Sequence, residues 1–208
     1  MKYQGARPNP LRDEFAKSLG LKATHLAGTD LIHSHLVRAV NGPGDLPLLG
    51  KGDGIASANP ELALGVTVGD CMPIWVADSR SLATAALHSG WQGTGIISAA
   101  LELMAERWGT RAEDCAVILG PCIHPCCYGV PLERAIQYLD SFGPEAAREQ
   151  AKGTWSLDLV AANIGLCQRA GVGALRVIDA CTACSPGLSS YRRDGKNGFK
   201  RMLALVSR

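Results

Sequence analysis

The sequence predicts one α/β domain of the α+β kind, built from mixed, largely antiparallel β-sheets covered by helices. Three observations carry that expectation. A chain of 208 residues with 47% hydrophobic and 19% charged side chains can bury one substantial core. Apolar segments joined by short polar turns outnumber strand–helix–strand crossovers, which favours antiparallel pairing. Apolar residues recur at helical spacing in separate stretches, most clearly over 95–108.

Taken in order, residues 1–20 are polar and charged, with a short helix at 11–19 stopped by Gly20. Residues 30–40, DLIHSHLVRAV, alternate as a strand with Leu31, His33, His35 and Val37 on one side. Residues 41–54 carry five glycines and two prolines and read as a surface loop, followed by a short strand at 55–58. Leu62, Leu64, Val66 and Val68 alternate into a strand ending at Asp70-Cys71. A strand at 72–77 begins at, or lies along, a sheet edge, because Pro73 has no amide to donate. The turn Asp78-Ser79-Arg80-Ser81 leads to a strand at 82–88. Thr94 caps the helix over 95–108 and Gly109 ends it. A strand at 114–119 runs into a loop, GPCIHPCCY, crowded with thiols and one imidazole. Helices at 132–142 and 157–170 flank a polar segment reaching Lys152-Gly153, the second helix capped by Ser156 and stopped by Gly171. A strand at 175–179, a long loop from Cys181 and a last strand at 199–206 complete the chain.

The chemistry concentrates between Val66 and Gly93. If the turn at 78–81 closes a regular hairpin, Ala77 faces Leu82 and Cys71 faces His88. Opposed residues have Cβ atoms about 4.5–5.5 Å apart, near enough for both side chains to reach one metal ion or for His to deprotonate Cys. The glycine-rich Ser-Gly-Trp-Gln-Gly-Thr-Gly after His88 offers free amides to an anion. His33 and His35 share a strand face and add imidazoles.

Composition narrows the field. A net charge of +2, without a long basic run, leaves no nucleic-acid footprint. No stretch approaches the ~18 uncharged residues of a membrane span, and Met1-Lys-Tyr-Gln-Gly has no apolar signal core, so a cytoplasmic protein is expected. Eight cysteines in such a chain are thiols or ligands rather than disulfides. The CxxxCC and CxxC spacings are not a standard zinc-ribbon pair, which argues against a structural metal site among the later cysteines.

Five segments in order, IHSHLVRAV, VGDCMPIWVAD, LHSGWQG, LGPCIHPCCYGV and CTAC…SYRRDGKNGF, resemble the YfiH-like or laccase-domain family over roughly residues 30–206. Its members were long labelled multicopper polyphenol oxidases and are now associated with purine nucleoside phosphorylase and adenosine deaminase activity. The resemblance implies a single YfiH-like domain over 1–208, with residues 1–29 a shortened N-terminal region lacking the family's Ser-Thr-Arg-x-Gly-Gly strand. It implies a zinc ion held by His33, Cys71 and His88, with nucleoside and phosphate as partners.

Such a site, with an open fourth position, can activate water or polarise a substrate atom. Asp70, Cys71 and His88 are then the catalytic candidates, and Arg192, Arg193, Gln92 and His35 the substrate-binding ones. Copper is the less favoured metal, since a coupled multicopper cluster consumes more histidines than the five present. Gln92 stands where the family usually has Arg, and Gly129 where it usually has Glu. The alternatives are a Cys71–His88 hydrolase of the peptidoglycan-editing type, a polyphenol oxidase, or a non-catalytic zinc-containing binding protein; a monomer is expected throughout.

Overall fold

The computed structural model describes residues 10–151 and 153–208. Residues 1–9 of the N-terminal polar segment and Lys152 lie outside them. Helix α1 (Pro10–Ser18) is followed by strands β1 (Leu26–Ala27), β2 (Val37–Ala39), β3 (Gly54–Ser57), β4 (Ala63–Val68), β5 (Met72–Asp78) and β6 (Thr84–Ser89). Next come α2 (Ile96–Trp108), β7 (Cys115–Leu119), β8 (Gly129–Val130), α3 (Leu132–Phe142), β9 (Ala147–Ala151) and β10 (Thr154–Leu157). The chain closes with α4 (Leu159–Ala170), β11 (Ala174–Val177), α5 (Tyr191–Gly198) and β12 (Met202–Val206).

The centre is a six-stranded sheet ordered β11-β7-β5-β6-β3-β2, with β11 parallel to β7, β2 parallel to β3, and the inner pairs antiparallel. Side-chain alternation along β5 and β6 builds two cores. Ile74, Val76, Ala85 and Leu87 face α2 and α4, where they meet Ile96, Ile97, Met104 and Leu159. Trp75 and Ala86 point the other way, onto Leu64 and Val66 of a three-stranded sheet ordered β1-β4-β12. All six residues of β6 are buried, as expected of a strand covered on both faces. A small antiparallel sheet, β8-β10-β9, flanks α3. The architecture is the mixed, largely antiparallel α/β fold that the sequence predicts.

Several expectations need correction. The segment at 30–40 is strand only at Val37–Ala39; His33 and His35 lie in a bend before it. Strand β5 is central, between β7 and β6, and Pro73 is tolerated because it lies near the strand's start, before the first β7 pair at Ile74–Leu119. Gly95, at φ 111°, precedes α2 as its cap; Thr94 instead turns its hydroxyl inward, donating to the Gly90 carbonyl and meeting the Tyr138 hydroxyl. Helix α4 starts at Leu159, capped by Asp158, whose carboxylate accepts from the Ala161 amide, and Ser156 belongs to β10. The long loop from Cys181 contains α5, kinked at Gly195.

The register of the β5–β6 hairpin also differs. Pro73 faces His88 and Ala77 faces Thr84, two residues out from the count made above. The turn is longer because Leu82 adopts φ 64° and the Asp78 amide donates to the Ala83 carbonyl. Asp78 itself is buried, and its carboxylate accepts from Ser81 and the Arg80 amide. Side chains alternate with period two, so an even slip leaves each residue on its expected face.

Candidate metal centre

That preserved facing brings the ligands together despite the changed register. One ligand atom each from His33, Cys71 and His88 lies within 4.8 Å of the others. Cys71 sits just before β5, and its Sγ packs over Gly90 just after β6, where a Cβ would come within 2.7 Å of the sulfur. Gly90 is therefore required by space, because any side chain there would displace the thiol. Two imidazole nitrogens and a thiolate are a zinc donor set, and tetrahedral zinc with bonds of about 2.0–2.3 Å would draw the three atoms, already within 4.8 Å, to roughly 3.3–3.8 Å, so the residues fit the ion that the resemblance implies.

The organiser is Asp53, at 0% exposure, just before β3. Its carboxylate accepts from the amides of Ile32, His33 and Ser34 at 3.2, 2.9 and 2.7 Å and from the Ser34 hydroxyl at 2.8 Å. Those bonds hold His33 in the left-handed region at φ 60°, which an L-residue adopts only when its surroundings impose it. The fifth donor is His88 Nδ1–H, at 3.0 Å. Because a carboxylate only accepts, Nδ1 keeps its proton, so Nε2 is the nitrogen that would give up its proton to ligate a metal, the arrangement that fixes metal-binding histidines. The His33 and His88 rings meet edge to face, with centroids 5.0 Å apart.

The charges interlock. Burial pushes the Asp53 carboxyl up, but the His88 bond and the Ser34 and His33 donors outweigh it and hold it well below the carboxylate range. Burial also resists ionisation of Cys71, yet the two imidazoles bring its thiol down to about 7. His88, disfavoured as a cation by burial, is raised to about 9 by Asp53 and Cys71. The metal-free centre is thus an imidazolium–thiolate cluster whose protons a cation would displace.

The group opens into a cavity of about 760 Å³. Asp70 lines it, but both carboxylate oxygens are engaged, one by the Thr182 hydroxyl and one by the Arg192 amide, each at 2.7 Å. Arg192 lines the cavity, with its guanidinium 5.5 Å from the Tyr128 ring centroid and bonded to the Gly129 carbonyl. Gln92 lines it too. Arg193 does not: its five N–H groups go to Asp194 and to the carbonyls of Thr182, Ser185 and Leu188. His35 stands outside the ligand group, donating from Nε2 to the Thr94 carbonyl at 2.9 Å. His124, in the glycine–proline loop, also stands apart, near Asp179.

The sequence reading missed Asp53, Arg134 and Arg201. Asp53 lay in what read as a surface loop; its signal was an acidic residue between Gly52 and Gly54, where Cβ atoms would collide with Leu36, Val37 and Leu87. Arg134 lines the cavity with its guanidinium 4.3 Å from the Trp91 ring centroid, and Arg201 lines it from the segment before β12. Neither carries a local motif, because both are brought in by tertiary packing.

Comparison with known proteins identifies the family and the fold. A family model described as multi-copper polyphenol oxidoreductase laccase matches residues 9–208. A Mycobacterium tuberculosis protein named purine nucleoside phosphorylase is 32% identical over 197 residues, covering 94% of this chain and 77% of its own. One of the same name from Streptomyces coelicolor is 34% identical over 190 residues, covering 90% and 77%. Among solved structures, YlmD from Geobacillus stearothermophilus superposes with a TM-score of 0.85 at 29% identity, over 95% of this chain and 78% of that one. Bacillus licheniformis YfiH gives 0.84 at 27% identity, over 94% and 79%. The chain belongs to the YfiH-like family, described as multi-copper polyphenol oxidoreductase laccase.

Proposed function

We propose that this chain is a zinc-dependent purine nucleoside phosphorylase working at the His33–Cys71–His88 centre. One observation carries the reading: the donor set opens into a cavity whose walls hold both aromatic faces and guanidinium groups. Its volume, about 760 Å³, falls within the roughly 300–1,000 Å³ typical of small-molecule sites. Trp91, Tyr128, Tyr191 and Phe199 offer surfaces to a purine, and Arg134, Arg192 and Arg201 offer charge-assisted hydrogen bonds to phosphate. The name shared by the curated relatives supplies the reaction class.

In phosphorolysis a phosphate oxygen bonds to ribose C1′ while the bond to the purine nitrogen breaks. The electron pair leaves with the base, which takes up a proton. The arginines hold the phosphate and position its oxygen against ribose C1′, which becomes electron-poor as the base leaves. Gln92 presents a neutral amide to the nucleoside. Asp70 fixes the start of α5 and with it the backbone of Arg192. When bound, zinc supplies a Lewis acid that polarises the substrate atom it meets. Asp53 keeps His88 in the tautomer that can ligate.

Zinc is preferred over a coupled copper cluster because only two of the five histidines join the group. His25 meets the Glu61 carbonyl and His35 the Thr94 carbonyl. Zinc-loaded protein incubated with adenosine should release adenine and ribose 1-phosphate, and only when phosphate is present. Inosine formed without phosphate would replace phosphorolysis by deamination. Failure to turn over any purine nucleoside, with cleavage of nucleotide-linked cell-wall precursors lost in Cys71→Ala, would replace both by the Cys–His hydrolase.

A further inference from the structure

We infer that Cys126, Cys127, Cys181 and Cys184 form a second, structural metal site that takes a zinc-class divalent ion as a tetrathiolate. All four sulfurs lie within 4.8 Å of one another. Cys126 Sγ is 3.7 Å from Cys127, 3.8 Å from Cys181 and 3.8 Å from Cys184, and Cys127 is 3.4 Å from Cys184. A tetrahedral ion with four zinc–sulfur bonds of about 2.3 Å requires sulfur–sulfur edges of about 3.8 Å. The cluster therefore has nearly the dimensions of the cage. A disulfide singles out two partners at about 2.05 Å, whereas Cys126 stands almost equidistant from three sulfurs and all eight cysteines are free.

The expectation drawn from spacing fails here for a definite reason. CxxxCC counts Cys122, but that residue is fully buried in the main core and takes no part. The ligands are instead an adjacent pair on the loop between β7 and β8 and a CxxC on the loop after β11. These loops already touch: Cys122 and Cys181 form a parallel bridge, and the Thr182 amide donates to the Cys122 carbonyl at 3.0 Å. The His124 amide points at Cys181 Sγ at 3.5 Å, a donor that favours thiolate.

Four protein sulfurs close the coordination sphere, so the ion would be structural. It would clamp two loops behind one wall of the cavity. The first loop carries Tyr128, and its Ile123 amide bonds the Asp70 carbonyl; the second carries Thr182, whose hydroxyl bonds the Asp70 carboxylate. The two centres share no ligand, and this site is independent of the proposed nucleoside chemistry.

Metal counting on protein purified under reducing conditions and loaded with zinc tests the assignment. Wild type should hold two equivalents, Cys71→Ala one, and the double variant Cys126→Ser/Cys184→Ser one. Cobalt(II) loaded into Cys71→Ala should give the near-ultraviolet thiolate charge-transfer band and the strong visible bands of a tetrahedral tetrathiolate. Peptide mapping should show zinc protecting all four thiols from alkylation in wild type, a reading that holds even if the double variant fails to fold. Zinc-loaded Cys71→Ala with no metal, and with these four thiols freely alkylated or paired as disulfides, would overturn the site.

Discussion

At the scale of the residue, Asp53 decides whether the three ligands form a site. Its carboxylate gathers five donors from two parts of the chain, and one of them fixes the His88 tautomer. Asp53→Asn should weaken zinc binding by about 10–100-fold, as loss of a ligand-orienting partner generally does, measured by competition with a chromophoric chelator. Unchanged affinity would mean that His33 and His88 are held by packing alone. Cys71 gives a second expectation. Its thiol lies near 7 rather than the ordinary 9.0, so the thiolate fraction of metal-free protein rises through pH 7 and is nearly complete at pH 9. Alkylation of Cys71, followed by peptide mass, should be half-maximal near pH 7 and should move to higher pH in His88→Ala. Both ligand cysteine and histidine were legible because their residue types announce the chemistry. Asp53 was not, since an aspartate among glycines is the usual composition of a turn and only its burial distinguishes it.

At the scale of the element, strand positions were readable where burial imposes alternation, as along β4 and through β5 and β6. The turn between β5 and β6 was not, because its length depends on Leu82 taking a left-handed conformation against its own preference. The Leu82 side chain is 49% exposed, so little packing opposes a change. Leu82→Gly should stabilise the fold by up to about 1 kcal/mol in denaturant unfolding, once the flexibility of glycine is set against relief of the backbone strain. A clear loss of stability would show that the Leu82 contacts fix the turn. Strand β9, AREQA, was also unreadable: four of its five residues are exposed, so it carries no apolar pattern. The bend at His33 escaped for the related reason that buried hydrogen bonds to Asp53, rather than local propensity, hold it.

At the scale of the molecule, the six-stranded sheet lies between helices on one face and the β1-β4-β12 sheet on the other. Fold class was accessible from composition and hairpin spacing, and five ordered motifs located the family. The arginine wall was only partly accessible. Arg192 and Arg193 are adjacent and indistinguishable in sequence, yet one lines the cavity while the other spends every N–H on the loop around it. Arg192→Ala should raise the KM for phosphate by about 10–100-fold, the size expected for a lost charge-assisted hydrogen bond, with a smaller change for the nucleoside. Equal changes for both substrates would assign Arg192 to general shaping of the cavity. Among the described residues, no helix is long and apolar enough to cross a membrane.

The most direct test of the metal centre is anomalous diffraction at the zinc edge from crystals of zinc-loaded protein. The expected result is a peak about 2.0–2.3 Å from Cys71 Sγ and from one ring nitrogen each of His33 and His88, with His88 Nδ1 still bonded to Asp53. No peak among those three residues in zinc-replete crystals, or a His88 ring turned away from Asp53, would contradict the account.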